Sequence, residues 1–214
     1  MRLTQSLCVI AVFSTAAAAF EPEHLTQLKD TNECFNCDLS GVALQGAELK
    51  LANLKDAQLE NSNLKQSTLA EAELTGANLS GANLEGANFW YGKLHKANLS
   101  NAKLYQANLF AADLKEANLR FAHLKGANLS NSNLQFVELT LAQLQMAQLL
   151  LADLTGATLK DANFEGANLL GANLEAADLS GATLRDADLT GANIEKAILC
   201  NTTMPDGEVL YVGC

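Results

Sequence analysis

Proline is nearly absent, at 2 of 214 residues, and aromatic side chains make up only 6%. Basic residues are also few, with 14 Lys and Arg against 24 Asp and Glu, a formal charge of −10. The scarcity of proline excludes a collagen-like chain, and the acidic balance excludes a nucleic-acid binder of the usual basic kind. Beyond the first twenty residues no long uncharged apolar run occurs, which excludes a membrane helix bundle and leaves no segment reading as a membrane insertion. What is present is an apolar fraction of 49%, mostly Ala and Leu with few β-branched side chains. That is enough for one domain to bury a core, and biased enough to point to a repeat.

The first 19 residues read as a secretory signal peptide. Arg2 supplies a positive start, Leu7 to Phe13 an apolar run too short to span a bilayer, and Ala16 to Ala19 small residues for cleavage after Ala19. Cys8 sits at the start of that run, a poor place for lipoprotein processing. Loss of Arg2 changes the balance to 13 − 24 = −11. The expectation is an exported protein, with the periplasm as its compartment.

From Leu39 onward a large apolar residue recurs at every fifth position up to Leu199, giving (199 − 39)/5 + 1 = 33 centres without a break in phase. Thirty are Leu, and the exceptions are Phe89, Phe164 and Ile194. Two residues before the centre stands Ala in 26 cases, and the residue just before it is Asn or Asp in 19. Five suits neither common element. On an α-helix successive centres would circle the axis, and on a flat strand they would alternate between faces. A chain that turns a corner after each short extended piece keeps every centre on one side. Four pentads then close a square coil of about twenty residues, with the centre and the small residue inward and the other three positions outward. Eleven of the 14 Gly fall two residues after a centre, where a type II turn demands a positive φ. The remaining pentads carry other residues there, which predicts other turn types at those corners.

Blocks such as Ala77-Asn78-Leu79-Ser80-Gly81 and Ala167-Asn168-Leu169-Leu170-Gly171 resemble the A(D/N)LXX unit of the pentapeptide-repeat family over residues 37–201. The resemblance implies an all-β fold, a right-handed quadrilateral parallel β-helix of about eight coils. At ~4.8 Å per coil its length is roughly 40 Å. Exported members resembling this chain are common in cyanobacteria, which adds the thylakoid lumen to the candidate compartments.

Solenoids need covered ends. Residues 20–36 read as an N-terminal cap, with a short amphipathic helix from Glu21 to Lys29, and residues 202–214 as a C-terminal capping segment. In the latter, Pro205-Asp206-Gly207 signals a turn and Val209 to Val212 a strand. Export leaves Cys34, Cys37, Cys200 and Cys214 in an oxidising compartment. Pairing each end with itself favours Cys34–Cys37 and Cys200–Cys214 among the three connectivities. Both ends also resemble family members, which often show a Cys-x-x-Cys before the first repeat and a closing segment like Cys200 to Gly207.

No catalytic constellation emerges. An interior filled by Leu and Ala leaves no pocket, and unbroken phase leaves no insertion loop. His24, His95 and His123 read as surface residues, with His95 and His123 on different sides of a coil. No metal, cofactor or enzymatic activity is expected. The departure lies outside. Steps of twenty stack Trp90, Tyr91, Phe110, Leu150, Leu151 and Leu170 into one stripe, with Phe121 and Leu141 in another. An apolar stripe rich in aromatics marks a contact site. Six bases (Lys93, Lys96, Lys103, Lys115, Arg120, Lys125) against Asp113 and Glu116 also form a mildly basic waist, and ten acids against three bases fill the stretch after Leu150. The first reading is therefore an exported binding or scaffold protein offering flat β faces to a protein partner or to a second copy. The alternatives are a DNA-mimic inhibitor of an enzyme such as gyrase, as for relatives implicated in quinolone resistance, and a thiol-disulfide oxidoreductase using Cys34 and Cys37.

Overall fold

The computed structural model describes residues 21–214, so the leader expected at 1–19 lies outside the described residues. From Glu33 to Thr203 the backbone is a ladder of parallel bridges in steps of twenty, starting with Glu33–Asn53 and ending with Thr183–Thr203. The bridging residue is always the one before the centre. At one such side the Leu99 N–H donates to the Asn118 carbonyl at 2.7 Å, and the Asn118 N–H donates to the Ala97 carbonyl at 2.9 Å. The chain then turns, closed by the Ala102 N–H donating to the Leu99 carbonyl at 3.1 Å.

Every corner from residue 36 to 201 puts the residue two after the centre in the left-handed region. Eleven are Gly, at φ 64° to 73°, and the others, Leu, Tyr and Phe among them, lie at φ 53° to 61°. The expectation of other turn types at corners without Gly is thus corrected: all share the left-handed third residue of a type II turn. The reason is the ladder. From Asn36 to Asp186 each corner N–H is bonded to the neighbouring coil, as Asn101 to the Arg120 carbonyl at 2.9 Å, and this pins a geometry that costs a non-glycine residue about 1–2 kcal/mol. Past the last of these bonds Lys196 keeps the same geometry at φ 58°.

Centres from Leu39 to Leu184 are buried together with the small residues two before them, save Ala47, which is only partly buried. Cys34 and Cys37 continue the phase at the start, Cys34 in a centre's place and Cys37 in the small residue's, 0% and 2% exposed. Helix α1 (Pro22–Thr31) lies over this end, with Leu28 buried against the core, Leu25 packed beside it, and Asn32 ending it in a left-handed conformation.

At the other end strand β1 (Leu199–Thr203) pairs antiparallel with β2 (Val209–Val212), Leu199 opposite Val212. This hairpin covers only part of the last coil. Leu189 is half-buried and Ile194 is 40% exposed, so not all 33 centres are inside as the period implied. No coil lies above these two sides, and among the described residues the N–H groups of Leu189 and Ile194 donate to no backbone carbonyl.

Candidate interaction ridge

The flat sides of the rod are polar. Their outward residues are the bridging ones, and their amides stack from coil to coil. Asn108 Nδ2 donates to Asn88 Oδ1 at 3.0 Å, and Asn128 Nδ2 to Asn108 Oδ1 at 3.3 Å. The same carboxamide oxygens accept the N–H two residues on, Trp90 to Asn88 Oδ1 at 3.1 Å and Phe110 to Asn108 Oδ1 at 3.2 Å. Each Asn therefore ties two coils together and fixes the turn that follows, the motif by which Asn and Asp support turns. This column carries architecture, not chemistry.

Trp90, Tyr91, Phe110, Leu150, Leu151 and Leu170 all occupy the two turn positions of one row of corners. The stripe is a ridge along an edge of the rod, which corrects the expectation of an apolar flat face: the short extended pieces form the sides, and residues after the centre belong to the bends. Only part of the stripe is brought together. The Trp90 and Tyr91 rings meet edge to face with centroids 4.5 Å apart, and Tyr91 and Phe110 likewise at 6.2 Å. Trp90 is 41% and Tyr91 50% exposed. Asn131, exposed, and Ser130, buried, stand between this cluster and Leu150, Leu151 and Leu170.

Within the second group, Leu151 alone has a glycine to lean on, and it stays exposed. Leu151 leans across the next coil's Gly171, where an added Cβ would stand 2.7 Å from Leu151 Cδ2. Phe136 covers Gly156 and Met146 covers Gly166 in the same way, at 2.7 Å and 3.0 Å. The signal, an apolar corner residue with Gly twenty positions on, was present in the sequence and escaped the stripe argument. Tyr91 has Ala111 at that offset and no such seat. Phe121 and Leu141 share another corner row, where the Arg120 guanidinium lies 5.6 Å from the Phe121 ring centre.

Beside the aromatic cluster, Leu51, Glu71, Trp90, Tyr91 and Lys93 line a shallow groove of about 540 Å³. Glu71, which shares the stacked row, was passed over as a charged residue, and Lys93 was noted only in the basic waist because it sits on the adjoining side. Both are ion-paired, Glu71 with Lys50 at 3.3 Å and Lys93 with Glu73 at 3.4 Å. Burial raises the Glu73 pKa, but hydrogen bonds from Thr75 and Lys93 outweigh it and hold the carboxyl below its ordinary range. The basic waist does not form a patch. Its six cations are distributed around the coil, and Lys96 and Arg120 are paired with Glu116 and Glu138.

Cys34 and Cys37 are bonded (S–S 2.08 Å), as are Cys200 and Cys214 (S–S 2.16 Å). The first pair is buried beneath α1, with Cys34 Sγ 3.3 Å from the His24 carbonyl, so the Cys-x-x-Cys offers no accessible sulfur for thiol exchange. His24 is tied to Asp38, His95 lies at a corner, and His123 stacks on Tyr105 at 5.5 Å. Among the described residues no group of three His, Cys, Asp or Glu side chains is arranged to hold a metal ion. Among those residues, too, no helix is long and apolar enough to cross a membrane.

The family model for pentapeptide repeats matches eight overlapping stretches, from residues 33–69 to 167–204. Among solved structures, HetL, a pentapeptide repeat protein involved in heterocyst differentiation regulation from the cyanobacterium Nostoc sp. strain PCC 7120, is 31% identical. That match covers 90% of this chain and 100% of HetL, with a TM-score of 0.38. Full-length QnrB1, a plasmid-mediated fluoroquinolone resistance protein, is 22% identical over 79% of this chain and 89% of its own, with a TM-score of 0.71, a likeness of fold. A pentapeptide repeat protein from the Arabidopsis thaliana thylakoid lumen is 26% identical over 58% of this chain and 70% of its own, with a TM-score of 0.23. No curated protein sequence matches the chain. With repeat matches running from residue 33 to 204, and a bridge ladder of the same period, the chain belongs to the pentapeptide-repeat family, whose members fold as right-handed quadrilateral β-helices.

Proposed function

We propose that this protein is an exported, non-enzymatic binding or scaffold protein, a capped rod of about eight coils, and that Trp90, Tyr91 and Phe110 form the centre of its contact with a protein partner or a second copy. Leu150, Leu151 and Leu170 extend that contact along the same corner. The observation that carries the reading is the aromatic cluster itself. Trp90 and Tyr91 are about half exposed, packed on each other, and placed at a corner whose neighbouring Asn88 and Asn108 fix the backbone. Rigid aromatic side chains lose little freedom on binding and dominate interface energetics. Pentapeptide-repeat proteins are generally non-enzymatic structural or interaction proteins, which supports the reading. Pre-organised as a ridge, the cluster suits a partner with a groove.

The test is a Trp90→Ser/Phe110→Ser variant: it keeps the wild-type circular dichroism and melting temperature but loses the complex. A variant that binds as well as the wild type removes the ridge from the account. The net charge of −10 on a rod-like β-helix favours one second reading, DNA mimicry directed at gyrase. Inhibition of gyrase supercoiling by the purified protein, undiminished in the Trp90→Ser/Phe110→Ser variant, would replace the first reading with the second.

A further inference from the structure

We propose that the Cys200–Cys214 disulfide is a redox site for dithiols and that its reduction opens the C-terminal end of the coil stack. The two disulfides differ in access. Cys34 and Cys37 are buried under α1, whereas Cys214 is exposed and Cys200 half-buried. A thiolate must reach a sulfur to exchange with it, so a dithiol meets the C-terminal pair and not the N-terminal one.

The same disulfide secures a weakly held element. In β2, Val209, Tyr211 and Val212 are exposed, and only Leu210 packs partly against the core. Its ladder with β1 is also irregular between Cys200 and Thr202. A two-stranded hairpin of this kind is marginal in water without further support. The covalent link at the end of β2 supplies that support. Leu199 has β2 as its cover, while Leu189 and Ile194 on the neighbouring sides have no coil above them. Release of β2 therefore lengthens the open edge of the stack from two sides to three, exposing a further row of strand donors and acceptors.

The chemistry is ordinary thiol exchange. One thiolate of the dithiol attacks Sγ of Cys214, giving a mixed disulfide and expelling the Cys200 thiolate. The second thiol of the reductant then displaces Cys214 and closes the reductant's own disulfide. Two electrons and two protons pass to this chain, which ends with two thiols.

The experiment treats the oxidised protein with dithiothreitol without denaturant, quenches with iodoacetamide at intervals, and maps alkylated peptides by mass. Cys200 and Cys214 are expected to be modified at least about 100-fold faster than Cys34 and Cys37, which react only through local opening. Hydrogen exchange of the reduced protein is expected to show lost protection in 199–202 and 209–212, with the ladder from 53 to 183, and the Thr203 N–H bonded to the Ala182 carbonyl, unchanged. A Cys200→Ser/Cys214→Ser variant is expected to reproduce that exchange pattern with no reductant present. Equal reduction rates for the two pairs, no reaction at Cys200 and Cys214, or a hairpin that stays protected in the variant would each overturn the proposal.

Discussion

Replacing Ala176 by glycine should stabilise this protein, against the usual rule for ordered positions. Ala176 is an exposed corner residue at φ 56°, with its N–H bonded to the Glu195 carbonyl at 2.9 Å. The substitution removes one methyl group of an exposed residue. An L-residue in the left-handed region carries about 1–2 kcal/mol of strain. Glycine returns roughly 0.5–1 kcal/mol of that through the greater freedom of its unfolded chain. The net gain is about 0.5–1 kcal/mol, or about 1–4 °C in melting temperature for a chain of this size. The reverse exchange, Gly41→Ala at φ 69°, adds a Cβ that meets nothing within 4 Å, so its cost is conformational alone and of similar size. Urea unfolding followed by circular dichroism reads both, with unchanged dependence on denaturant. A less stable Ala176→Gly, or a more stable Gly41→Ala, would refute the claim that the ladder imposes a strained corner on the pentads it joins.

The interior gives a second expectation: Leu109→Ala, at a fully buried centre, loses about 2–5 kcal/mol in the same assay, and Leu109→Asp does not fold. Ser62 occupies a small-residue position with its hydroxyl buried and unpartnered, so Ser62→Ala gains about 1 kcal/mol. Ser67→Ala and Ser132→Ala do not gain, because those hydroxyls donate to the Leu64 and Leu129 carbonyls at 2.7 Å. Acid should unfold the rod through its side carboxylates. The Ser40 N–H and hydroxyl hold the Asp38 carboxyl below its ordinary value of 3.8. Burial raises Asp153 and Asp178, but hydrogen bonds from Thr155 and Gln135, and from Ser180 and Lys160, lower them further. Groups depressed in the folded state stabilise it above their unfolded pKa and lose that contribution as pH falls through the folded values. The melting temperature is thus expected to be level from about pH 7 to 5 and to fall below about pH 4; a rise below pH 4 contradicts this.

Period five made the coil readable. Leu every fifth position admits neither a helix nor a flat strand, and the Ala and Asn columns fall into place once a corner is accepted. Three things were hidden for physical reasons. Corner geometry at residues such as Leu51, Tyr91 and Phe121 runs against local preference, because hydrogen bonds twenty residues away override it. Cys37 was in phase with the repeat from the start, but Cys34 stands in a centre's place without matching the consensus, so the ladder's first bridge at Glu33 was invisible. Leu189 and Ile194 match the consensus yet lack a coil above them, since periodicity does not tell where the chain leaves the ladder. Sequence stacking put the six stripe residues in one row, and the structure has them in one row of corners. That stacking missed that Leu151 leans on Gly171 while staying as exposed, at 57%, as Trp90 and Tyr91.

The measurement that tests the account most directly is the solution mass of the oxidised protein beginning at Phe20, by size-exclusion chromatography with light scattering. It is run alone and after incubation with extract of its native compartment, beside the Trp90→Ser/Phe110→Ser variant. The account predicts an assembly larger than one chain for the wild type, and a monomer of unchanged melting temperature for the variant. A wild type that stays monomeric in both conditions, or a variant that assembles equally well, would contradict it.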